Sequence, residues 1–145
     1  MRCLDVGCGA GDVTMLLASM VGPAGAVVGS DADRVQLDLV EQEVERLGVT
    51  TVELVHQDVM DLAASGEYDV VYSRFLLEHL VDPVEAIRRM WRAVRPGGVL
   101  VAEDADFLAE FCEPPHPGFD FWQYAYPETL RRHGGDPLSG RRLHS

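Results

Sequence analysis

Four short apolar runs in the first 75 residues each give way to glycine, an acid or a hydroxyl. Arg2–Val6 runs into Gly7-Cys8-Gly9-Ala10-Gly11, and Ala26–Ser30 ends in Asp31-Ala32-Asp33. Val52–His56 is followed by Gln57-Asp58-Val59, and Asp69–Tyr72 by Ser73 and Arg74. A fifth run, Val99–Glu103, follows the turn Arg95-Pro96-Gly97-Gly98. Helix-like stretches separate these runs, and that alternation predicts parallel strands joined by helical crossovers. The expected class is α/β, a Rossmann-like three-layer sandwich with a mostly parallel sheet. Ligands of such sheets bind beyond the carboxyl ends of the strands. Gly7–Gly11, Asp31, Asp58 and Ser73 all fall there. One acid after a strand is ordinarily a helix cap; a glycine loop with acids at successive strand ends points to a ligand.

The helices are read from apolar spacing. The first follows Gly11 to about Met20, with Val13, Leu16, Leu17 and Met20 on one face. The second is capped by Asp33, carries Leu37, Val40, Val44 and Leu47, and ends at Gly48. A weak helical stretch is expected to about Ala64 and a short helix over Phe75–Leu80. Asp82-Pro83-Val84-Glu85 is a start signal, followed by a stripe of Val84, Ile87, Trp91 and Val94. Beyond Asp104 come an apolar run (Phe107–Phe111), a loop (Glu113–Gly118) and an aromatic-rich stretch (Phe119–Tyr126), where Pro127 is expected to kink or restart any helix. The chain thus divides into a core over 1–104 and a lid or substrate-side helical segment over 105–145.

Composition narrows the functional classes. Acids number 24 against 12 bases, a net charge of −12, which argues against a nucleic-acid surface and favours cationic over anionic ligands. Every base is arginine, so lysine Schiff-base and P-loop chemistry are absent. Cys3, Cys8 and Cys112 form no disulfide or zinc pattern, and the histidines have no partners at metal-ligand spacing, so a reducing cytoplasm and no metal are expected. No apolar run approaches the ~20 residues of a membrane span.

The glycine segment sets the cofactor class. A dinucleotide fingerprint is G-x-G-x-x-G, but the position of its last glycine is here Asp12. A carboxylate at a helix start disfavours a pyrophosphate there. That speaks against a nicotinamide oxidoreductase and for a ligand without phosphate pressed against bare backbone. Leu4–Gly11, with Val28–Asp31, His56–Val59, Tyr68–Pro83 and Arg95–Gly98, resembles the class I S-adenosylmethionine-dependent methyltransferases, specifically the bacterial small-molecule type. The resemblance runs from about Arg2 to Arg142 and implies strand order 3-2-1-4-5.

The resemblance implies S-adenosylmethionine as cofactor and S-adenosylhomocysteine as product. It places Asp31 on the ribose hydroxyls, with Ala32 beside it. It puts Asp58 and the Val59 N–H at the adenine, and Asp5, Gly7, Cys8, Gly9, Gly11, Ser73 and Arg74 around the rest. Asp5 either orients the glycine loop, meets the methionyl ammonium, or is a buried structural acceptor. Direct methyl displacement needs no nucleophilic side chain, but an acceptor with an acidic proton needs a base. His79 is the candidate, four residues from Phe75 on the expected helix, with a local hydrogen-bond role as the alternative. Phe75, Trp122, Tyr124 and Tyr126 are candidate walls for a small-molecule methyl acceptor, with packing of the lid as the alternative for the last three. Compared with the family, the chain opens almost on its first strand and stops before the usual sixth and seventh. The fifth strand is then an exposed edge and a route to self-association. Two readings result: a methyltransferase, or a truncated cofactor-binding module without turnover.

Overall fold

The computed structural model describes residues 1–143. Five strands form one sheet of order β3-β2-β1-β4-β5: β1 (Arg2–Val6), β2 (Ala26–Asp31), β3 (Val52–His56), β4 (Tyr68–Arg74) and β5 (Val94–Glu103). β1 pairs parallel with β2 (Leu4 opposite Val28) and with β4 (Leu4 opposite Val71), and β2 pairs parallel with β3. This is the Rossmann-like order implied by the resemblance. β1 lies mid-sheet and is buried from Cys3 to Val6, which is why its sequence is a nearly unbroken apolar run.

The chain divides into two compact units. The first comprises Met1–Arg74 and Val84–Ala102, and it holds the sheet. The second comprises Phe75–Pro83 and the chain from Glu103 onward. The division differs from the 1–104 and 105–145 reading in two respects: Phe75–Pro83 leaves the core and joins the C-terminal segment, which itself begins at Glu103. Within that unit, the Phe75 N–H donates to the Glu103 carbonyl (2.9 Å) and the Asp136 N–H to the Glu78 carbonyl (2.8 Å).

The crossover helices are α1 (Asp12–Val21), α2 (Arg34–Leu47) and α3 (Pro83–Ala93). Asp33 caps α2, accepting from the Val35 N–H at 2.8 Å. Leu37 and Val40 are buried on its expected face. For α1 and α3 the period is helical as expected but the phase is rotated. α1 buries Thr14 and Ala18, with Leu17 and Val21 partly buried, and leaves Leu16 and Met20 exposed. α3 buries Ala86, Met90 and Ala93, and exposes Val84 and Trp91. Small side chains let a helix axis approach its neighbours closely, so these faces centre on alanine and threonine, with Met90 also fully buried in α3. Trp91→Ala is therefore expected to change the stability of this chain by less than about 1 kcal/mol in urea denaturation.

Three further expectations shift. The weak helix before Ala64 is a single 3-10 turn at Val59–Asp61, and Arg95–Gly98 belongs to β5 rather than to a turn before it. β4 extends to Arg74, so Ser73 and Arg74 end the strand rather than following it. In the second unit, α4 (Pro117–Arg132) continues through Pro127, which is fully buried, and α5 (Ser139–Arg142) follows. No helix among the described residues is long and apolar enough to cross a membrane.

Candidate functional site

In the first unit the glycine segment is tied to the end of β2. The Gly7 and Cys8 N–H groups both donate to the Ser30 carbonyl, at 2.8 and 3.0 Å. The Gly9 N–H donates to Asp31 Oδ2 at 2.8 Å, and the Asp33 N–H to Asp31 Oδ1, also at 2.8 Å. Both Asp31 oxygens are thus oriented by backbone, and each retains a second lone pair for a ligand hydroxyl. Ala32, the next residue, is exposed.

The glycines differ in what they do. Gly11 has φ +83°, and a Cβ there would lie 2.6 Å from Val40 Cγ1. Its bare backbone serves the packing of α1 against α2. Gly9 has φ +50°, and a Cβ there would meet nothing within 4 Å. Of these two, only Gly9 faces open space beside the Asp31 carboxylate.

Asp5 is 2% exposed, and its Oδ2 accepts from the Thr14 hydroxyl at 2.6 Å. Burial pushes its carboxyl up to about 6, against the lowering effects of Thr14 and the Arg74 guanidinium. It therefore anchors α1 from beneath the glycine segment. The Cys8 thiol is pushed up to about 12, by burial first and then by Asp5 and Asp31, so it stays a neutral packing group. Asp58 accepts from the Met60 N–H at 2.8 Å and caps the 3-10 turn begun by Val59, which is buried. His56, already read as a strand-end residue, contacts the Ala32 carbonyl at 2.9 Å. Ser73 is fully buried, and its Oγ has no hydrogen-bond partner. A buried hydroxyl left unpaired is costly and calls for a partner.

These observations test the implied cofactor. A carboxylate with lone pairs to spare, open space over Gly9 and an orphaned Ser73 hydroxyl fit a nucleoside with a ribose diol and a polar tail. Asp12, the exposed first residue of α1, does not fit a pyrophosphate there.

The second unit contains a cavity of about 360 Å³ lined by Phe75, Glu78, His79, Ala105, Phe107, Glu110, Trp122 and Tyr126. Phe75 and His79 share it, but not through a helix face. Phe75 has φ +55°, and only Leu77–His79 form a 3-10 turn. The Phe75 N–H donates to the Glu103 carbonyl, and the Glu78 N–H to Asp104 Oδ1 (3.2 Å). Trp122 lines the cavity and stacks between Phe119 (5.5 Å) and Tyr126 (5.6 Å), so wall and packing roles coincide. Tyr124 is 75% exposed and lies outside the cavity lining, whereas Tyr126 lines it.

Sequence reasoning missed Glu78 and Asp104. Glu78 is 2% exposed, and its Oε2 accepts from the Ala105 N–H at 3.4 Å. Its Oε1 lies 3.4 Å from His79 Nε2. Burial, and then the neighbouring Asp104 carboxyl, push Glu78 up to about 7; burial also raises Asp104. The signal was present in Phe75-Leu76-Leu77-Glu78-His79-Leu80, a lone acid inside an apolar run.

A model of the methyltransferase domain family matches residues 3–98. Demethylmenaquinone methyltransferase of Anoxybacillus flavithermus is 36% identical over 126 residues, covering 86% of this chain and 51% of that protein. The Geobacillus stearothermophilus enzyme of the same name is 34% identical, covering 98% and 56%. The chain therefore spans about half the length of these curated relatives. Among solved structures, a SAM-dependent methyltransferase from Aquifex aeolicus superposes with TM-score 0.70 at 24% identity, over 92% of this chain and 71% of that one, a likeness of fold.

Proposed function

The chain belongs to the class I S-adenosylmethionine-dependent methyltransferases, and from that membership we propose that it binds S-adenosylmethionine at the strand ends of the first unit and methylates a small-molecule acceptor held in the cavity of the second. When bound, the cofactor supplies a methyl group on a sulfonium, open to direct displacement by the acceptor. The observation that carries this reading is the Asp31 carboxylate held against the Gly9 N–H (2.8 Å) with open space above Gly9.

Each residue has a role in this reading. Asp31 accepts from both ribose hydroxyls, a charge-assisted pair of hydrogen bonds, with Ala32 alongside. Gly7, Cys8, Gly9 and Gly11 shape the backbone on which the cofactor lies, Gly11 through packing. Asp58 accepts from the adenine amino group, and Val59 offers its N–H to the ring. Asp5 positions the segment through Thr14, and Ser73 and Arg74 hold the methionyl part. In the second unit, Phe75 and Trp122 wall the acceptor. His79, half exposed beside Glu78, is the base when the accepting atom carries a proton.

Calorimetric titration with S-adenosylhomocysteine tests the cofactor half. Asp31→Ala is expected to weaken binding about 10- to 100-fold, the worth of charge-assisted hydrogen bonds. Asp31→Asn keeps one oxygen, enough for the Gly9 or the Asp33 N–H but not both, and is expected to fall between the parent and Asp31→Ala. Unchanged affinity in both variants would remove Asp31 from the site and, with it, the main support for this reading.

A further inference from the structure

The ionisable groups of the second unit's cavity are unbalanced. Glu78 and Glu110 line it with His79 and Tyr126, and Asp104 sits directly against Glu78. No arginine is among its lining residues. Within the same unit, Arg141 of α5 is held by Asp106 (2.7 Å) and Arg142 by Asp136 (2.6 Å). The remaining walls are rings: Phe75, Phe107, Trp122 and Tyr126, with Phe107 set edge-on to Trp122 at 5.7 Å.

Carboxyls crowded in a half-enclosed apolar space repel one another and are poorly solvated. An entering anion adds to that repulsion, whereas a cation relieves it. Aromatic faces favour the same sign of charge, because their quadrupoles attract cations. The two features agree, and both favour an organic cation over a neutral or anionic ligand of equal size.

We propose that this cavity is a binding site for a small organic amine in its ammonium form, with the rings around its apolar body and Glu78 as the carboxylate that pairs with its nitrogen. Resting on the methyl-transfer reading above, this makes the acceptor an amine. Glu78 then has a second task, taking for an amine the proton-accepting role that His79 holds for other acceptors. An ammonium nitrogen has no free electron pair, so its proton must leave before the nitrogen can attack a methyl group. The N–H bond breaks, the proton joins Glu78 as a carboxylic acid, and the freed pair stays on the neutral amine. Burial and Asp104 bring Glu78 to about 7, where it is able to both pair with an ammonium and take its proton near neutral pH.

Three probes of nearly equal size and different charge separate the outcomes: 2-phenylethylamine, 2-phenylethanol and phenylacetate. Binding to the whole chain is read by calorimetry without cofactor, so no methyl transfer is needed. The amine is expected to bind about tenfold or more tightly than the alcohol, with phenylacetate weakest. Glu78→Gln keeps an oxygen for the Ala105 N–H. It is expected to remove most of the amine's advantage, about tenfold, and leave the alcohol unchanged. Amine affinity is expected to rise with pH through about 7, as Glu78 ionises. The amine itself remains protonated to about pH 9–10. Glu110→Gln gives a second reading of the same preference with Glu78 untouched, and a smaller loss is expected. Equal or tighter binding of the alcohol or phenylacetate would overturn the proposal, as would an amine preference unmoved by both variants. The neutral outcome would instead point to a neutral ring acceptor. Failure here with S-adenosylhomocysteine still bound in the first unit would sink only this inference, whereas amine binding without S-adenosylhomocysteine binding would sink the cofactor reading.

Discussion

Gly11→Ala is expected to lower the stability of the chain by about 3 kcal/mol, whereas Gly9→Ala is expected to lower it by about 1 kcal/mol and yet remove cofactor affinity. The two residues share a left-handed backbone, which disfavours any Cβ to a similar extent. They differ in what the new methyl group meets. At Gly11 it would lie 2.6 Å from Val40 Cγ1 and 2.9 Å from Cγ2. Val40 is 1% exposed and β-branched, with little freedom to rotate away. At Gly9 the methyl would meet no protein atom within 4 Å. It would occupy the space assigned to the ligand, and S-adenosylhomocysteine affinity is expected to fall about tenfold or more. Urea denaturation reads the first effect and calorimetry the second. A stable Gly11→Ala variant would contradict the packing account. Full S-adenosylhomocysteine affinity in Gly9→Ala would mean that the open face over Gly9 is not where the ligand lies.

Asp5→Asn is expected to stabilise the protein above pH 6 by about 3 kcal/mol, at most a small loss of cofactor affinity being the consequence for function. The sign follows from protonation. The folded-state value of Asp5 is about 6 against an ordinary 3.8, so the folded chain binds its proton more tightly than the unfolded chain does. Stability is therefore greatest below the ordinary value, falls as pH rises from about 4 through about 6, and is flat beyond. Asn at this position keeps an oxygen for the Thr14 hydroxyl without a buried charge. The stability gap between variant and parent should open over that same interval and vanish at its acid end. Glu78, raised to about 7, adds a loss in the same direction at slightly higher pH. Thermal melts across pH 4–8 check the pattern. Because Asp5 is 2% exposed and already committed to Thr14, S-adenosylhomocysteine affinity should change less than about threefold. A gap that is constant with pH, or a destabilised variant, would contradict the role of Asp5 as a buried charge anchoring α1.

Much of the first unit was legible because its local signals agree with one another. β1, α2 and β3 coincide with the expected ranges, since each has an apolar run or stripe bounded by a cap or glycine. The Asp33 cap was readable for the same reason. The errors at α1 and α3 share one cause. For α1 and α3 the face was assigned to the largest apolar residues, but the buried faces are built from Thr14 and Ala18, and from Ala86, Met90 and Ala93. Periodicity fixes that a helix has a face; it does not fix which phase a tightly packed neighbour selects. The second unit was harder to read because its contacts are between distant residues. The separation of Glu78 from Asp104 is 26 residues, and the aromatic cluster joins Phe107 to Trp122 and Tyr126. Those contacts divert the backbone of Phe75–His79 from the helix its local sequence suggests. The strand-end criterion that found Asp31 and Asp58 would have found Asp104 as well, had it been applied to β5.

The central claim is that the first unit holds S-adenosylmethionine rather than a dinucleotide. Its most direct test is a pair of titrations of the same folded preparation, one with S-adenosylhomocysteine and one with NADH. Saturable one-site binding of S-adenosylhomocysteine and no heat from NADH is the expected result. NADH binding at the site, or no S-adenosylhomocysteine binding by a chain whose circular dichroism shows it folded, would contradict the account.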